Sequence, residues 1–562
     1  MLPLSDAPQA IENVDTTLQV PSSPPPNKGR LLSGISSFWH DRLIESGLVV
    51  SLALYYVIGN EHLGTGRLFQ VNPLFSLPFL LIFAALCWYR LPFAVALLPL
   101  ALPYYLLQKT VVTHYSFSLA EIAFGTCLGV ALLQFLVQRG KWQYRLSWQE
   151  LQDRLGLFAI SMPVFFLAAA FSVVIAYEHT FALRAFREEV FDPLVYLMLA
   201  MFCLRSRQDV GRLLVALLAS GLVVALMGMA QYFLFKNQLV LEADGIRRVH
   251  AMYGSANSIG LFFDYVLPIG LALALAAIGA QKAFGILRLW WVRFLAVAVC
   301  LPLLLVLYLS QSRGAEIAIA VAAVFIVALS IRSRRVLLVA GVIFIIAFGV
   351  FLVAFHRSIA AFIFADHTST SGIRTATVRI YPWESALRMI HDHLWFGVGM
   401  DNWLCYYSSN SICSIPALVN HHYWILQDPV THASTGLVNQ RDLSHPHNIF
   451  LHVWASMGVF GLLAFIAVLL LFFWQFSRIL SHLRSAGFKD SPHLQWMTIG
   501  VGAAMLAALV QGMVDSSFLE QDLAFCFWML VAALLLLRYL SGTPWRGSPY
   551  ERRPDMVNEH VA

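Results

Sequence analysis

Apolar runs long enough to cross a bilayer recur along almost the whole chain, and they limit its fold more than any other feature. A membrane-spanning helix needs about 20 mostly apolar residues. Such runs are read at 44–59, 74–89, 92–107, 116–137, 155–177, 190–205, 211–235, 257–280, 291–310, 313–331, 335–355, 448–476, 495–515 and 521–540. Only 12% of residues are charged, against about 25% in soluble domains. The expected fold is all-α, a polytopic integral membrane protein with about 12–14 transmembrane helices. The spread in that number comes from 74–89 and 92–107, which are short and interrupted by Pro78, Pro92, Pro99 and Pro103.

Residues 1–40 read as a disordered cytoplasmic tail. They are polar, and the run Pro21-Ser22-Ser23-Pro24-Pro25-Pro26 suits neither helix nor sheet. No basic start followed by an apolar stretch opens the chain, so no cleavable signal peptide is expected. Alternating the runs from a cytoplasmic N-terminus places most lysines and arginines on the cytoplasmic side, the usual positive-inside bias. Both termini, including a second tail at 542–562, then come out cytoplasmic, and one large loop at 356–447 is extracytoplasmic. The expected location is the plasma (inner) membrane. The net charge of +6 is small for 562 residues, and nucleic acid is not an expected partner.

The cations that break the bias carry the functional information. Arg184, Arg187, Arg247, Arg248, Arg313, Arg374, Arg379, Arg388 and Arg441 all fall on the outer side. A guanidinium offers a planar fork of donors that grips phosphate oxygens at two points. An outward cluster of them in a lipid-embedded chain points to a phosphate-bearing lipid, although solvated loops and headgroup contacts also use arginine. Arg313 stands out because Leu309-Ser310-Gln311-Ser312-Arg313-Gly314-Ala315-Glu316 joins two apolar runs with almost no loop. A charge there is costly unless it is used or paired, so Arg313 is a functional candidate; the alternative is a purely structural pair with Glu316 one turn on. Arg247-Arg248 precedes a helix that Ser255 or Asn257 could cap, a weak anion-site signal.

The outer loop ends in Ser444-His445-Pro446-His447-Asn448, where polar chain meets the apolar run beginning Ile449-Phe450-Leu451. An imidazole at such a border can exchange protons near neutral pH within reach of a lipid-borne substrate. His447 is the candidate proton acceptor, with His445 and Asn448 as flanking substrate-binding candidates. The alternative is a histidine that merely packs at a helix start. His-x-His alone does not make a metal site, and no Cys pair or acidic ligand lies at a supporting spacing, so no metal is expected. Earlier in the loop, Tyr381-Pro382-Trp383 reads as a helix start with Pro382 in the first turn. Trp383, Ala386, Leu387 and Ile390 would share its apolar face, and Glu384–Arg388 would pair on another. This helix is expected to lie along the membrane surface. Phe396-Gly397-Val398-Gly399-Met400-Asp401-Asn402 reads as a glycine turn without nucleotide-binding context. Five of the seven cysteines lie in apolar runs; Cys405 and Cys413 lie in the outer loop, where a disulfide is a possible pairing.

Four of these motifs, in order, resemble the O-antigen ligase/O-antigen polymerase superfamily. They are Ser312-Arg313-Gly314-Ala315 opening a helix, Arg379-x-x-x-Trp383, Phe396 through Asn402, and His447-Asn448 followed by Gly458-x-x-Gly461. The resemblance covers about 297–466, and Arg247 to Asn257 and Asp515 extend it loosely. It implies a C-type glycosyltransferase-like membrane enzyme, free of cofactors, metal and nucleotide sugar. Such an enzyme moves a glycan from an undecaprenyl-diphosphate carrier to an acceptor hydroxyl on a lipid or glycan. His447 would be the general base, and Arg313 and Arg379 would bind the diphosphate. The resemblance divides the chain into N-terminal helices at 41–296, a core at 297–466 that includes the loop, and C-terminal helices at 467–541. A polymerase of O-antigen or exopolysaccharide repeat units shares every one of these motifs. A lipid-linked glycan transporter is the alternative of another class; it would call for broken helices in repeated halves, and no internal repeat is found.

Overall fold

A computed structural model describes residues 28–64, 66–112, 115–138, 142–236, 239–241, 247–275, 286–331, 374–408, 423, 425–427, 434–438, 443–485 and 492–545. The expected span at 335–355, Cys413, most of both tails and much of the loop 356–447 lie outside them. Among the described residues the protein is all-α apart from three two-stranded antiparallel ribbons. Nine helices are long and apolar enough to cross a membrane: Leu119–Val137, Phe158–Ile175, Arg207–Phe233, Ala256–Leu275, Trp290–Ser310, Arg313–Ser330, Ile449–Ser485, His493–Gly512 and Gln521–Ser541. Each matches an expected run. Lipid offers the backbone no hydrogen-bond partner, so apolar stretches of this length close their own ladders as helices.

Three expectations about spans are corrected. The run 44–59 falls in the helix Lys28–Val57, which begins inside the tail read as disordered and is not among the helices long and apolar enough to cross. The runs 74–89 and 92–107 are not two spans. They form one bent pair, Pro73–Tyr89 and Leu91–Tyr104, that turns by 116° at Arg90. Prolines at the start of each half and Pro103 inside the second remove ladder donors and favour the break. The run 190–205 yields the 12-residue α-helix Asp192–Cys203, too short to cross by itself, preceded by helical turns at His179–Ala185 and Phe186–Phe191.

The helix Gln521–Ser541 is the axis of the molecule and is buried along nearly its whole length. It packs against Asp192–Cys203, Ile449–Ser485 and Pro492–Gly512, and Pro492–Gly512 packs in turn on Ala256–Leu275 and Arg313–Ser330. Ion pairs mark one end of this bundle: Arg90 and Arg212 both reach Asp41, at 3.6 Å each, and Arg212 reaches Glu45 at 2.7 Å. The other end gathers the polar turns that carry the functional candidates.

In the segment 356–447, the helix Arg374–Asp392 starts earlier than expected, and Pro382 lies inside it. A proline there removes one donor, while burial of Ala386, Met389 and Ile390 holds the following turns. Leu387, expected on the packed face, is exposed, and Met389 takes its place. Glu384 and Arg388 do approach, at 3.9 Å. The stronger use of Arg388 is to tie down the loop by donating to the carbonyls of Tyr423 and Ile425 at 2.7 and 2.8 Å.

Candidate active site

The site is built where the helix Ile449–Ser485 begins. Asn448 caps it: its side-chain oxygen accepts from the backbone N–H groups of Phe450 and Leu451, both at 3.0 Å. Its amide nitrogen donates to the carbonyl of Met513 at 3.0 Å, pinning this helix start to the turn that follows Pro492–Gly512. Asn448, expected to bind substrate, thus spends both ends of its amide on the fold.

That turn delivers Asp515, and Asp515 organises the histidines. His447 Nδ1 lies 3.0 Å and His445 Nε2 3.2 Å from the same carboxylate oxygen, which also accepts from the backbone N–H of Ser516 at 2.9 Å. The imidazole rings of His445 and His447 meet edge to face at 4.6 Å. His445 Nδ1 approaches the Ser444 hydroxyl at 2.9 Å, and His452 stacks on His445 while its Nδ1 meets Ser516 Oγ at 2.7 Å. Burial would raise the Asp515 carboxyl, but the hydrogen bonds and charges of His445 and His447 outweigh it and hold the group well below the carboxylate range. Asp515 is therefore a fixed anion. It orients His447 by one ring nitrogen and leaves Nε2 as the other. The His447 side chain keeps 18% of its surface exposed, against 4% for Asp515, so the imidazole is the reachable member of the pair.

The sequence reading missed this partnership. Asp515 lies 68 residues beyond His447, and no spacing rule connects them. The carboxylate also supplies the acidic donor that the metal expectation found missing. His445, His447 and Asp515 offer ligand atoms within 4.8 Å of one another, the one such group of three or more among the described residues.

The loop helix and the glycine turn brace His447 from the other side. Trp383 Nε1 donates to the His447 carbonyl at 3.2 Å. Arg379 is one turn before Trp383 on the same helix; its side chain is outside the described residues. The helix Ile449–Ser485 kinks at Gly458, where φ is +68°. Val459 N donates to Leu394 O, which releases the carbonyls of Ala455 and Ser456 to accept from Val398 and Gly399. A side chain at Gly397 or Gly458 would strike backbone, at 2.5 Å from Ala455 O or 2.1 Å from Trp395 O. The glycine turn is therefore a dock for the kinked helix.

The arginines divide into tethers and free groups. Arg248 donates to Ser310 O and Asn257 Oδ1, both at 2.7 Å, and so fastens its strand to the turn ahead of Arg313. Ser255, not Asn257, caps the next helix, accepting from Ser258 N at 3.2 Å. Arg247, beside Arg248, is exposed. Arg313 is also exposed and makes no ion pair with Glu316, so the structural alternative is not the one adopted. A Cβ added at Gly314 would meet Val514 Cγ2 at 3.4 Å. The start of the Arg313 helix therefore abuts the turn that holds Asp515, and Arg313 and His447 share one end of the bundle. Cys405 is disulfide-bonded, and Cys413, its expected partner, lies outside the described residues.

With this geometry in hand, the comparison with known families is decisive: residues 298–466 match the family model described as O-antigen ligase. Over these residues the chain is similar to the O-antigen ligase superfamily. The matched segment holds Arg313, the loop helix, the glycine turn, His447 and the Gly458 kink, and it coincides with the expected core to within a residue. Asp515 and Arg247 lie outside it. Comparison with curated proteins returns no match. Together with the many helices able to cross a membrane, this similarity supports a multi-pass membrane protein with a glycosyltransferase-like core of the kind used in polysaccharide biosynthesis.

Proposed function

We propose that the protein transfers a glycan from an undecaprenyl-diphosphate carrier to an acceptor hydroxyl on the extracytoplasmic face of the plasma membrane, without a metal ion. The observation that carries this reading is the Asp515–His447 pair, in which a buried anion holds an otherwise reachable imidazole. The acceptor oxygen attacks the anomeric carbon, the bond from that carbon to the carrier phosphate breaks, and His447 Nε2 takes the hydroxyl proton. Asp515 stabilises the imidazolium that forms, as its persistent charge allows. Arg313, Arg379 and Arg247 meet the charge left on the diphosphate, the work that a divalent cation would otherwise do. A single displacement of this kind inverts the anomeric configuration.

Ligase and polymerase readings share this chemistry and differ in the acceptor, a lipid-borne core or a second repeat unit. Purified protein incubated with a lipid-diphosphate oligosaccharide and each acceptor class, with products read by mass spectrometry, tests the proposal. Transfer with inversion, unchanged by a chelator, supports it. Retained configuration or loss of activity on chelation refutes the mechanism, and no product with any acceptor refutes the function. Arg313→Ala should abolish transfer while the protein still inserts; normal transfer by that variant counts against its role.

A further inference from the structure

Next to the histidine pair the protein encloses a cavity of about 400 Å³, within the size range of small-molecule sites. Its walls come from the chain after Leu98–Tyr104, from the helical turns around Arg184 to Glu189, from the glycine turn, and from the start of the central helix. The lining is about half polar, and its charged groups are mainly acidic: Glu188, Glu189, Asp401 and Glu520 accompany one arginine, Arg184, with Tyr105, Gln108 and Gln521 as further polar groups and Leu106 and Ala185 as apolar ones. Glu188 is neutralised by Arg184 and Arg187 at 3.1 and 2.7 Å. Among the described residues, the Glu520 carboxylate receives only the Tyr105 hydroxyl, at 3.2 Å. Neither Glu189 nor Asp401 has an ion pair among the described residues. A second, independent observation points to a ligand. Gln521 is 4% exposed, and its amide Nε2 has no partner among the described residues, a costly state for a buried donor.

We propose that this cavity is a sugar subsite that takes a neutral or amine-bearing ring and turns away uronate and phosphorylated sugars. The proposal rests on the reading of the protein as a glycan transferase and specifies its substrate class. A pyranose ring supplies hydroxyl donors to the carboxylate oxygens and oxygen acceptors to Gln521 and Arg184, which matches the mixed lining. A single bound cation fits less well, because the carboxyls of the cavity are not among the groups that converge closely enough to share an ion. The crowding has electrostatic consequences. Loss of water, reinforced by Asp522 and Asp515, raises the Glu520 carboxyl against the pull of His445. Asp401 is exposed toward the cavity yet ringed by protein, and its carboxyl rises to about 6 despite Arg184. A further negative charge is unwelcome in such a pocket, whereas a cationic amine restores balance. Glu520 also lies near enough to His445 and Asp515 to feel their charges, so the cavity adjoins the cluster that holds His447. The bundle end is then bipolar, with arginines for the diphosphate on one side and carboxylates for sugar on the other.

Saturation-transfer NMR on the full-length protein in detergent, with glucosamine and glucuronate as probes, tests this directly. Glucosamine is expected to bind and glucuronate not. Gln521→Leu should weaken glucosamine binding about tenfold, the worth of roughly one buried hydrogen bond. Asp401→Asn, which keeps a residue tolerant of positive φ, should weaken glucosamine and admit glucuronate. His447→Ala should bind as wild type, which separates this site from the transfer step. Equal binding of the two probes, or binding unchanged in both cavity variants, overturns the proposal. In the transfer assay, a raised KM in Asp401→Asn for the lipid-linked donor assigns the ring to the donor glycan, and a raised KM for the acceptor assigns it to the acceptor; no change in either overturns the proposal. If wild-type protein transfers nothing yet binds glucosamine in this pattern, the transferase reading fails and the sugar site stands.

Discussion

His447 holds an unusual backbone conformation, with φ at +50°, that places its ring on Asp515. Left-handed backbone at a non-glycine residue costs about 1–3 kcal/mol and persists where the surroundings enforce it. Among the described residues three other non-glycine residues share this feature, Ala251, Gln311 and Asp401. They lie beside the Arg248 tether, the Arg313 helix start and the acidic cavity. Strain thus concentrates at the end of the bundle where the candidate residues meet. Asp515→Asn removes the fixed anion and lets the amide offer a donor where two imidazoles need an acceptor, so transfer should fall by about 10²-fold, measured as initial rate. The pH dependence of stability has a definite sign. The Asp515 carboxyl is depressed, so its contribution is present above its unfolded value near 3.8 and is lost as pH falls through the folded one. The Glu520 carboxyl is raised, so folding is disfavoured as pH rises above its unfolded value near 4.5. Between pH 5 and 8 Asp515 stays ionised and contributes no slope. Wild-type melting temperature should therefore decline across that window from Glu520, and Glu520→Gln should flatten the decline, by about 1 kcal/mol over the range.

Among elements, the kinked helix Ile449–Ser485 sets the geometry. Gly458 has φ +68° and ψ −170°, a region open essentially to glycine alone, and a Cβ there would sit 2.1 Å from the Trp395 carbonyl oxygen. Gly458→Ala should lower stability by about 3 kcal/mol or more, seen as a large drop in melting temperature, and should loosen the loop helix that reaches His447. A conservative Gly461 substitution does not share the backbone penalty, since Gly461 is not among the glycines with positive φ. The motifs carrying these glycines were legible in the sequence, but not their purpose. A Gly-x-Gly turn and a glycine in a helix reveal their meaning only when the freed carbonyls of Ala455 and Ser456 find Val398 and Gly399. The helix start at Pro382 misled for a related reason: proline favours a first turn but tolerates a helix interior when neighbouring turns are buried.

Over the whole molecule, apolar length determined most of the architecture. Nine expected runs reappear as spanning helices because lipid leaves the backbone no other arrangement. Length alone could not foresee the 116° bend at Arg90, which depends on proline and on the packing of neighbouring helices. The arginine excess and the histidine pair were also readable, because charge is conspicuous against so apolar a background. Asp515 and the acidic cavity were not: their carboxylates come from distant turns that only tertiary packing assembles. The central claim is that these turns place a proton-accepting His447 against a lipid-linked diphosphate glycan. The most direct test is the initial rate of glycan transfer by purified His447→Ala, with membrane insertion and melting temperature matched to wild type. The account predicts a loss of about 10²-fold or more; a rate within about twofold of wild type, less than 1 kcal/mol in barrier, would contradict it.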